Sequence, residues 1–312
     1  MDEIVHKFVQ VNGVKLHLAE LGSQSSPVVV FLHGFPEIWY TWRYQMIAAA
    51  NAGYRAIAPD FRGYGLSDPP PETDKFCMSD LVDDLLATID SLAIDKVFIV
   101  AKDFGARPAC IFALRYPMRV IGVISIGIPP MPFGRLAFLK ESPEGFYINR
   151  WRVPGRAEAD FGRLDAKTVV RNVYILFSGS ENPIASESQE IMDLVEPDTP
   201  LPPWFTEDDL SVYGALYEKS GFLNPLKVPY RSLEEECDLA DPVIKNPMLL
   251  IMGEKDYFLK FPGIEDFITS GTVKHFASDL EIEYVPEGSH FVQEQFPERV
   301  NQLILAFFSK HC

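Results

Sequence analysis

The ten residues VFIVAKDFGA, at positions 97–106, decide the fold of this 312-residue chain. Residues 97–101 are apolar on both faces, a pattern typical of a buried strand in a parallel sheet. The chain then turns sharply into a helical segment. A side chain at the centre of such a strand-to-helix turn points out over the sheet, and the turn requires small residues two positions before and after it. Ala101 and Gly105 meet this requirement, so we expect Asp103 to be presented for chemistry.

Further apolar segments alternate with helical ones on both sides of this stretch. Strands are predicted at residues 5–11, 14–21, 27–32, 54–60, 120–126, 247–252 and 280–285. Strands that alternate with helices of ten or more residues indicate right-handed βαβ units and a mainly parallel sheet. Between the strands at 120–126 and 247–252 the pattern is helical and rich in proline. We therefore predict an α/β core of residues 1–130 and 246–312 and a helical cap domain of residues 131–245.

The composition excludes several classes of protein. With 28 basic and 44 acidic side chains, the net charge is −16, and the basic runs that bind nucleic acid or an anionic membrane surface are missing from the sequence. We find neither a secretory signal nor an apolar run of about 20 residues that could span a membrane. Four scattered cysteines predict free thiols in a reducing cytoplasm. No group of residues has the spacing of metal ligands, and we expect neither a metal nor an organic cofactor.

The turn at residue 103 carries an aspartate where many hydrolases carry a serine. The GxSxG pattern of serine esterases occurs nowhere in the sequence, so serine chemistry has no nucleophile here. A carboxylate can also attack a substrate and form a covalent ester, which divides one difficult displacement into two easier steps. Asp103 is therefore the candidate nucleophile.

Five motifs surround this aspartate in a specific order along the chain. They are HGFPEIWYTWR (33–43), PDFRGYGLSD (59–68), the turn at residues 101–105, GEKD (253–256) and GSHF (288–291). In these motifs the sequence resembles the α/β-hydrolase superfamily and, within it, the soluble epoxide hydrolases, most closely those of plants. The resemblance covers nearly the whole chain. It implies a mostly parallel eight-stranded sheet with flanking helices and an inserted helical cap. Members usually carry GHDWG at the turn, whereas this chain has AKDFG.

The fold implied by the resemblance orders its catalytic triad as nucleophile, acid and histidine. His290 follows the last predicted strand and is the one of six histidines that this order requires. Two carboxylates, Glu254 and Asp256, follow the preceding strand. The family register selects Asp256 as the acid that orients the histidine, and Glu254 is the alternative.

Epoxide opening also requires an acid for the departing alkoxide, and a tyrosine can donate a hydrogen bond and then a proton. Two tyrosines in the predicted cap match the family: Tyr147 in GFYINRW and Tyr230 in KVPYR, where the usual motif is N-Y/W-Y-R. The resemblance also implies an oxyanion hole formed by the backbone N–H groups of Phe35 and Phe104, and a cis peptide bond before Pro36. Phe35, Phe104 and Trp39 are expected to line the pocket.

The resulting hypothesis is an epoxide hydrolase that converts an apolar epoxide and water to a vicinal diol through an ester on Asp103. A fluoroacetate-type dehalogenase is an alternative, because that family shares the HGFP motif and an arginine four residues after the nucleophile, here Arg107. Its second arginine, directly after the nucleophile, is replaced by Phe104. Haloalkane dehalogenases differ more, since they carry Asn after HG and Trp after the nucleophile. A non-catalytic ligand-binding protein of the same fold is a further alternative. The oligomeric state, monomer or homodimer, is left open.

Overall fold

A computed structural model describes residues 3–131, 142–233 and 242–312. Eight strands form one sheet in the order β1-β2-β4-β3-β5-β6-β7-β8. Strands β1 and β2 pair antiparallel with each other, as do β2 and β4, and every other pairing is parallel. The predicted mostly parallel eight-stranded sheet is thus confirmed. The strands span Val5–Val11, Val14–Leu21, Val28–Leu32, Arg55–Pro59, Val97–Lys102, Val120–Ile126, Met248–Gly253 and Leu280–Val285.

Helices connect the strands in the described part of the chain. Four of them, α1 to α3 and α9, lie between strands of the sheet, five lie between β6 and β7, and two follow β8. In chain order α1 to α11 span Arg43–Asn51, Met78–Ser91, Ala106–Arg115, Tyr147–Trp151, Arg156–Phe161, Ala166–Ser178, Glu207–Ser220, Leu223–Lys227, Ile264–Thr269, Val292–Gln295 and Pro297–His311. Among the described residues, no helix is long and apolar enough to cross a membrane.

The first hairpin follows from a two-residue turn. Asn12 and Gly13 have φ angles of 46° and 78°, which glycine and asparagine adopt most readily. A turn with two positive φ angles matches the twist of an antiparallel pair. It places Val11 directly opposite Val14, and so fixes the register of β1 and β2.

The middle of the sheet is buried on both faces. Every residue of β3, β4, β5 and β7 is buried, as expected for parallel strands covered by helices on either side. The outer strand β1 is largely exposed or half-buried, and β8 is buried only at its two ends. The apolar runs of the sequence therefore mark the centre of the sheet.

The strand order locates the functional edge of the sheet. After β3 the chain passes to β4 on one side and then returns to β5 on the other, so the loops that follow β3 and β5 diverge. Such a switch point leaves a crevice at the carboxyl ends of the strands, where ligands bind in α/β proteins. Leu32 pairs with Ala101 in this region, which places the loops carrying Phe35 and Asp103 side by side.

A helical insertion separates β6 from β7. Between residues 142 and 233 it contains α4 to α8, and an isolated bridge between Phe146 and Ile184 is its one β pairing in that described range. The predicted cap domain, residues 131–245, also includes 132–141 and 234–241, which lie outside the described residues. Its boundaries stay a prediction. We use the term insertion for residues 142–233.

Candidate active site

The turn at the end of β5 holds Asp103 in a left-handed backbone conformation. Its φ angle is 51°, and the residue begins a short 3-10 turn that leads into α3. A Cβ atom on Gly105 would lie 2.5 Å from the backbone oxygens of Leu32 and His33. A larger residue therefore cannot occupy that position without moving β3. Ala101 is fully buried, so both positions that the sequence required to be small are tightly packed.

The Asp103 carboxylate lies between the loop after β3 and the loop after β8. Its Oδ1 accepts a hydrogen bond of 3.1 Å from the backbone N–H of Phe35, and its Oδ2 lies 3.3 Å from Nε2 of His290. The loop after β3 comes so close to Asp103 that a Cβ on Gly34 would lie 2.4 Å from Oδ1 of Asp103. One carboxylate oxygen is thus held by the backbone, and the other faces an imidazole.

His290 is in turn oriented by Asp256. Its Nδ1 lies 3.0 Å from each carboxylate oxygen of Asp256, and the Phe258 N–H donates to Asp256 Oδ1 at 2.9 Å. The alternative acid, Glu254, is exposed to solvent. The structure therefore brings Asp103, His290 and Asp256 together in the order that the sequence predicted.

The electrostatics of this cluster favour an ionised nucleophile. Burial alone would raise the pKa of Asp103. The hydrogen bond and charge of His290, the charge of Lys102 and the Phe104 N–H outweigh burial and lower this pKa below its usual value. Burial would likewise lower the pKa of His290, but the Asp256 carboxylate more than compensates and raises it. Asp103 is an anion at neutral pH as a result.

Two predicted tyrosines lie in the insertion and face this carboxylate. Tyr147 opens α4 and Tyr230 opens a short 3-10 turn, and their rings meet edge to face with centroids 6.3 Å apart. Burial, chiefly, and then the negative charge of Asp103 among other groups, hold both pKa values well above the usual value of 10. Both phenols are thus protonated hydrogen-bond donors at neutral pH.

Aromatic rings surround the same space. Phe35 packs against Trp151 and Tyr230 with centroids 5.9 and 5.5 Å apart, and Phe104 packs against Tyr230 at 5.1 Å. The peptide bond before Pro36 is cis, as the resemblance implied. The surroundings of Asp103 are therefore largely apolar.

Trp39, which the sequence placed in this pocket, packs elsewhere. Its backbone N–H donates to Oδ1 of Asp60, and its ring lies 4.8 Å from that of His6 and 6.2 Å from that of His17, centre to centre. Its ring thus packs on the N-terminal hairpin and not with the rings around Asp103. His33, at the end of β3, holds the backbone of a neighbouring loop, because its Nε2 accepts the Phe61 N–H at 3.1 Å.

Three contacts in the site escaped the sequence analysis. Tyr257 places its hydroxyl 3.2 Å from that of Tyr147, and Lys102 places its ammonium nitrogen 2.9 Å from His290 Nε2. Trp151 packs on Tyr147, four residues earlier in the same helix, at 5.3 Å. Helical spacing could have identified Trp151, because residues four apart share a helix face. The other two contacts join residues more than 100 positions apart in sequence.

Comparison with known proteins agrees with this geometry over the full chain. A family model described as alpha/beta hydrolase fold matches residues 27–260. Epoxide hydrolase 3 of Siraitia grosvenorii is 35% identical over 321 residues, which cover 99% of this chain and 100% of that protein. The chain belongs to the epoxide hydrolase family.

Solved structures of epoxide hydrolases superpose closely on this epoxide hydrolase. The crystal structure of an epoxide hydrolase from Vigna radiata has a TM-score of 0.92 at 34% identity and covers 99% of both chains. A laboratory-evolved variant of a potato epoxide hydrolase has a TM-score of 0.89 at 33% identity, with 98% of this chain and 99% of that chain covered. The plant-type resemblance and the α/β-hydrolase fold are both confirmed.

Proposed function

We propose that this protein hydrolyses an apolar epoxide to a vicinal diol, with Asp103 as the nucleophile, Tyr147 and Tyr230 as the acids, and the His290–Asp256 pair as the base. The observation that carries this proposal is the position of the two buried phenols opposite an ionised carboxylate. Phenols that stay protonated can polarise an epoxide oxygen while a carboxylate attacks the adjacent carbon.

In the first step an oxygen of Asp103 attacks an epoxide carbon. The Phe35 N–H holds Oδ1, so Oδ2, which faces His290, is the oxygen that forms the new bond. The carbon–oxygen bond of the epoxide breaks, and its electron pair stays on the oxygen. Tyr147 or Tyr230 transfers its proton to that oxygen, which becomes a hydroxyl. The product is a hydroxyalkyl ester of Asp103.

In the second step His290 Nε2 takes a proton from a water molecule, and the resulting hydroxide attacks the carboxyl carbon of the ester. The negative charge that develops on Oδ1 is stabilised by the N–H groups of Phe35 and Phe104, which form the oxyanion hole. The bond between the carboxyl carbon and the alkyl oxygen then breaks, the imidazolium returns its proton to that oxygen, and the diol leaves. The new carboxyl group of Asp103 loses its proton to the phenolate formed in the first step, which regenerates the enzyme. Asp256 stabilises the imidazolium that forms, as in other triads of this type.

A single turnover in ¹⁸O-water, with enzyme in excess over an aryl epoxide such as styrene oxide, tests this route. We expect the label to enter the peptide that contains Asp103, because water attacks the carboxyl carbon and not the epoxide. The first diol should be unlabelled. As a control, a second turnover of the labelled enzyme in ordinary water should move label into the diol. Label in the diol from the first turnover would contradict the covalent route.

The dehalogenase alternative is less well supported by the site. Arg107, which that activity would need for a carboxylate substrate, donates from Nη1 to the carbonyl oxygen of Leu233 at 2.6 Å. The position of the second arginine holds the apolar ring of Phe104, which packs on Tyr230. Fluoride release from fluoroacetate, with no diol formed from styrene oxide, would favour this alternative. The relatives compared above are epoxide hydrolases.

The ring-lined pocket supports an apolar substrate, such as an aryl or fatty-acid epoxide, because apolar pockets with a few convergent polar groups bind ligands of that kind. The rings of Phe35 and Trp151 pack together near Asp103, and that of Phe104 packs on Tyr230, whereas the predicted Trp39 packs elsewhere. We also propose a reducing cytoplasm as the site of action, where the free thiol of Cys110 would stay reduced.

Tyr257→Phe should slow formation of the ester by about 2- to 10-fold, the effect of one lost hydrogen bond. The hydrogen bond between the hydroxyls of Tyr257 and Tyr147 lowers the pKa of Tyr147, although burial still dominates. Without it Tyr147 is a weaker acid. The rate of the alkylation phase in stopped-flow measurements reports the change. Tyr54→Phe, which alters a hydroxyl near the C-terminus, is the matched control, and an equal effect from both variants would refute a specific role for Tyr257.

A further inference from the structure

Lys102 is a fully buried cation that the proposed mechanism does not use. It is the last residue of β5 and stands where the family motif carries histidine. Its side chain has no exposed surface. Its Nζ lies 2.9 Å from Nε2 of His290. Within the described part of the chain, His290 is the one hydrogen-bond partner of Nζ. A buried charge is costly unless it is compensated, so its position requires an explanation.

The pocket around the ammonium group is closed by Gly127 and Phe291. A Cβ on Gly127 would lie 3.3 Å from Lys102 Nζ and 3.2 Å from Asp256 Oδ2, so the absence of a side chain there leaves room for the cation. The ring of Phe291 lies 5.7 Å from Nζ, within the range of a cation–π contact. The space is thus shaped for a lysine whose end reaches the base.

Acidic groups face the Lys102–His290 pair from three loops. Asp103 follows β5, Asp256 follows β7, and Glu37 lies in the loop after β3, where burial chiefly raises its pKa to about 7 and the charge of Lys102 lowers it. The phenol of Tyr257, whose ring lies 4.8 Å from that of His290, stays protonated. Carboxyl groups thus face the buried cation and compensate its charge.

The hydrogen bonds of His290 determine what this ammonium does. Nδ1 faces the Asp256 carboxylate, which can only accept, so Nδ1 carries a proton. Nε2 is therefore the atom that takes up the proton of water during ester hydrolysis. The positive charge of Lys102, 2.9 Å from Nε2, opposes protonation of the His290 ring before the ring activates water. When water donates to Nε2, the Lys102 N–H turns aside.

We propose that Lys102 is a positioning residue that opposes the protonation of His290 favoured by the neighbouring carboxylates, and thereby extends hydrolysis of the ester toward lower pH. The proposal rests on the proposed function for its kinetic consequence, but its effect on the histidine exists without any substrate. It is the charge of Lys102, and not its hydrogen bond alone, that has this effect.

The sign of the expected change follows from the charge. Since Asp256 raises the pKa of His290 and Lys102 lowers it, removal of Lys102 should raise this pKa further. His290 acts as a base only when neutral, so the acid limb of the pH profile for ester hydrolysis should move to higher pH. A like charge at this distance corresponds to a shift of about 1 to 3 pH units.

The experiment compares two variants, Lys102→Met and Lys102→Gln, in two measurements. Methionine removes both the charge and the donor, whereas glutamine keeps an N–H donor without charge. Single-turnover decay of the ester from pH 5 to 9 gives the acid limb. The downfield ¹H NMR resonance of the His290 Nδ1 proton, followed over the same range without substrate, gives the pKa of His290 independently of any reaction.

We expect both variants to raise the pKa of His290 in both measurements. Thermal melting checks that each variant is folded. Because the two variants differ in polarity, one can still be measured if the other fails to fold. The proposal is overturned if the pKa of His290 is unchanged or falls in the variants. It is also overturned if this pKa rises in Lys102→Met but keeps its wild-type value in Lys102→Gln. If the NMR titration shifts as expected but no epoxide is hydrolysed, the proposed function fails and the role of Lys102 in setting the charge of His290 stands.

Discussion

Asp103→Asn abolishes diol formation, with an expected loss of at least about 10³-fold in kcat, as for removal of other triad members. An amide is too weak a nucleophile to attack the epoxide carbon, although it keeps the shape of the side chain. Asparagine is also the substitution that the backbone tolerates best here, because it adopts the positive φ angle found at residue 103 more readily than most residues do. Steady-state diol formation measures the effect.

Circular dichroism and thermal melting should show that Asp103→Asn is folded, since the amide oxygen can still accept the Phe35 N–H. Asp279→Asn makes the same chemical change at an exposed position and should leave kcat unchanged. Retention of more than about a tenth of wild-type activity by Asp103→Asn, in protein shown by mass spectrometry to carry asparagine, would exclude Asp103 as the nucleophile.

His290→Gln should separate the two chemical steps. The nucleophile and both phenols remain, so the ester still forms, but no base activates water to remove it. We expect one equivalent of substrate to be bound covalently per protein, and steady-state turnover to fall by about 10³- to 10⁴-fold. Intact-protein mass spectrometry after rapid quenching should show a mass increase equal to that of the epoxide.

The matched control is Glu254→Gln. It alters the exposed carboxylate that the sequence offers as the alternative to Asp256 for the acid of the triad. It should turn over normally and accumulate no adduct. If His290→Gln lost turnover without accumulating an adduct, His290 would be required for the first step, and its assignment as the base of the second step would be wrong.

The parts of the site that lie in continuous motifs could be predicted from the sequence. The apolar strand and small residues around Asp103 predict the turn, and the order of the strands predicts that Asp256 and His290 follow β7 and β8. These features depend on local backbone geometry, which short stretches of sequence determine. The alternating strands and helices likewise predicted the parallel sheet.

Side-chain contacts between distant segments could not be predicted in this way. Lys102 and His290 are 188 positions apart, and Tyr147 and Tyr257 are 110 apart, so each contact depends on how whole elements pack. For Trp39, in contrast, a prediction made from a local motif was wrong. Its place beside the HGFP motif suggested a pocket residue, but the Asp60 carboxylate holds its backbone and the N-terminal hairpin covers its ring. Proximity in sequence was a poor guide there.

The insertion also separates the two proposed acids from the proposed base along the chain. Asp103, Tyr147 and Tyr230, which we assign to ester formation, all precede β7, whereas Asp256 and His290, assigned to ester hydrolysis, follow it. Substitutions in the insertion can therefore change which epoxide is attacked, and at which carbon, while the residues that we assign to ester hydrolysis are left intact. A library confined to the insertion would vary selectivity with little risk to turnover, because the base and its acid are encoded in a separate segment.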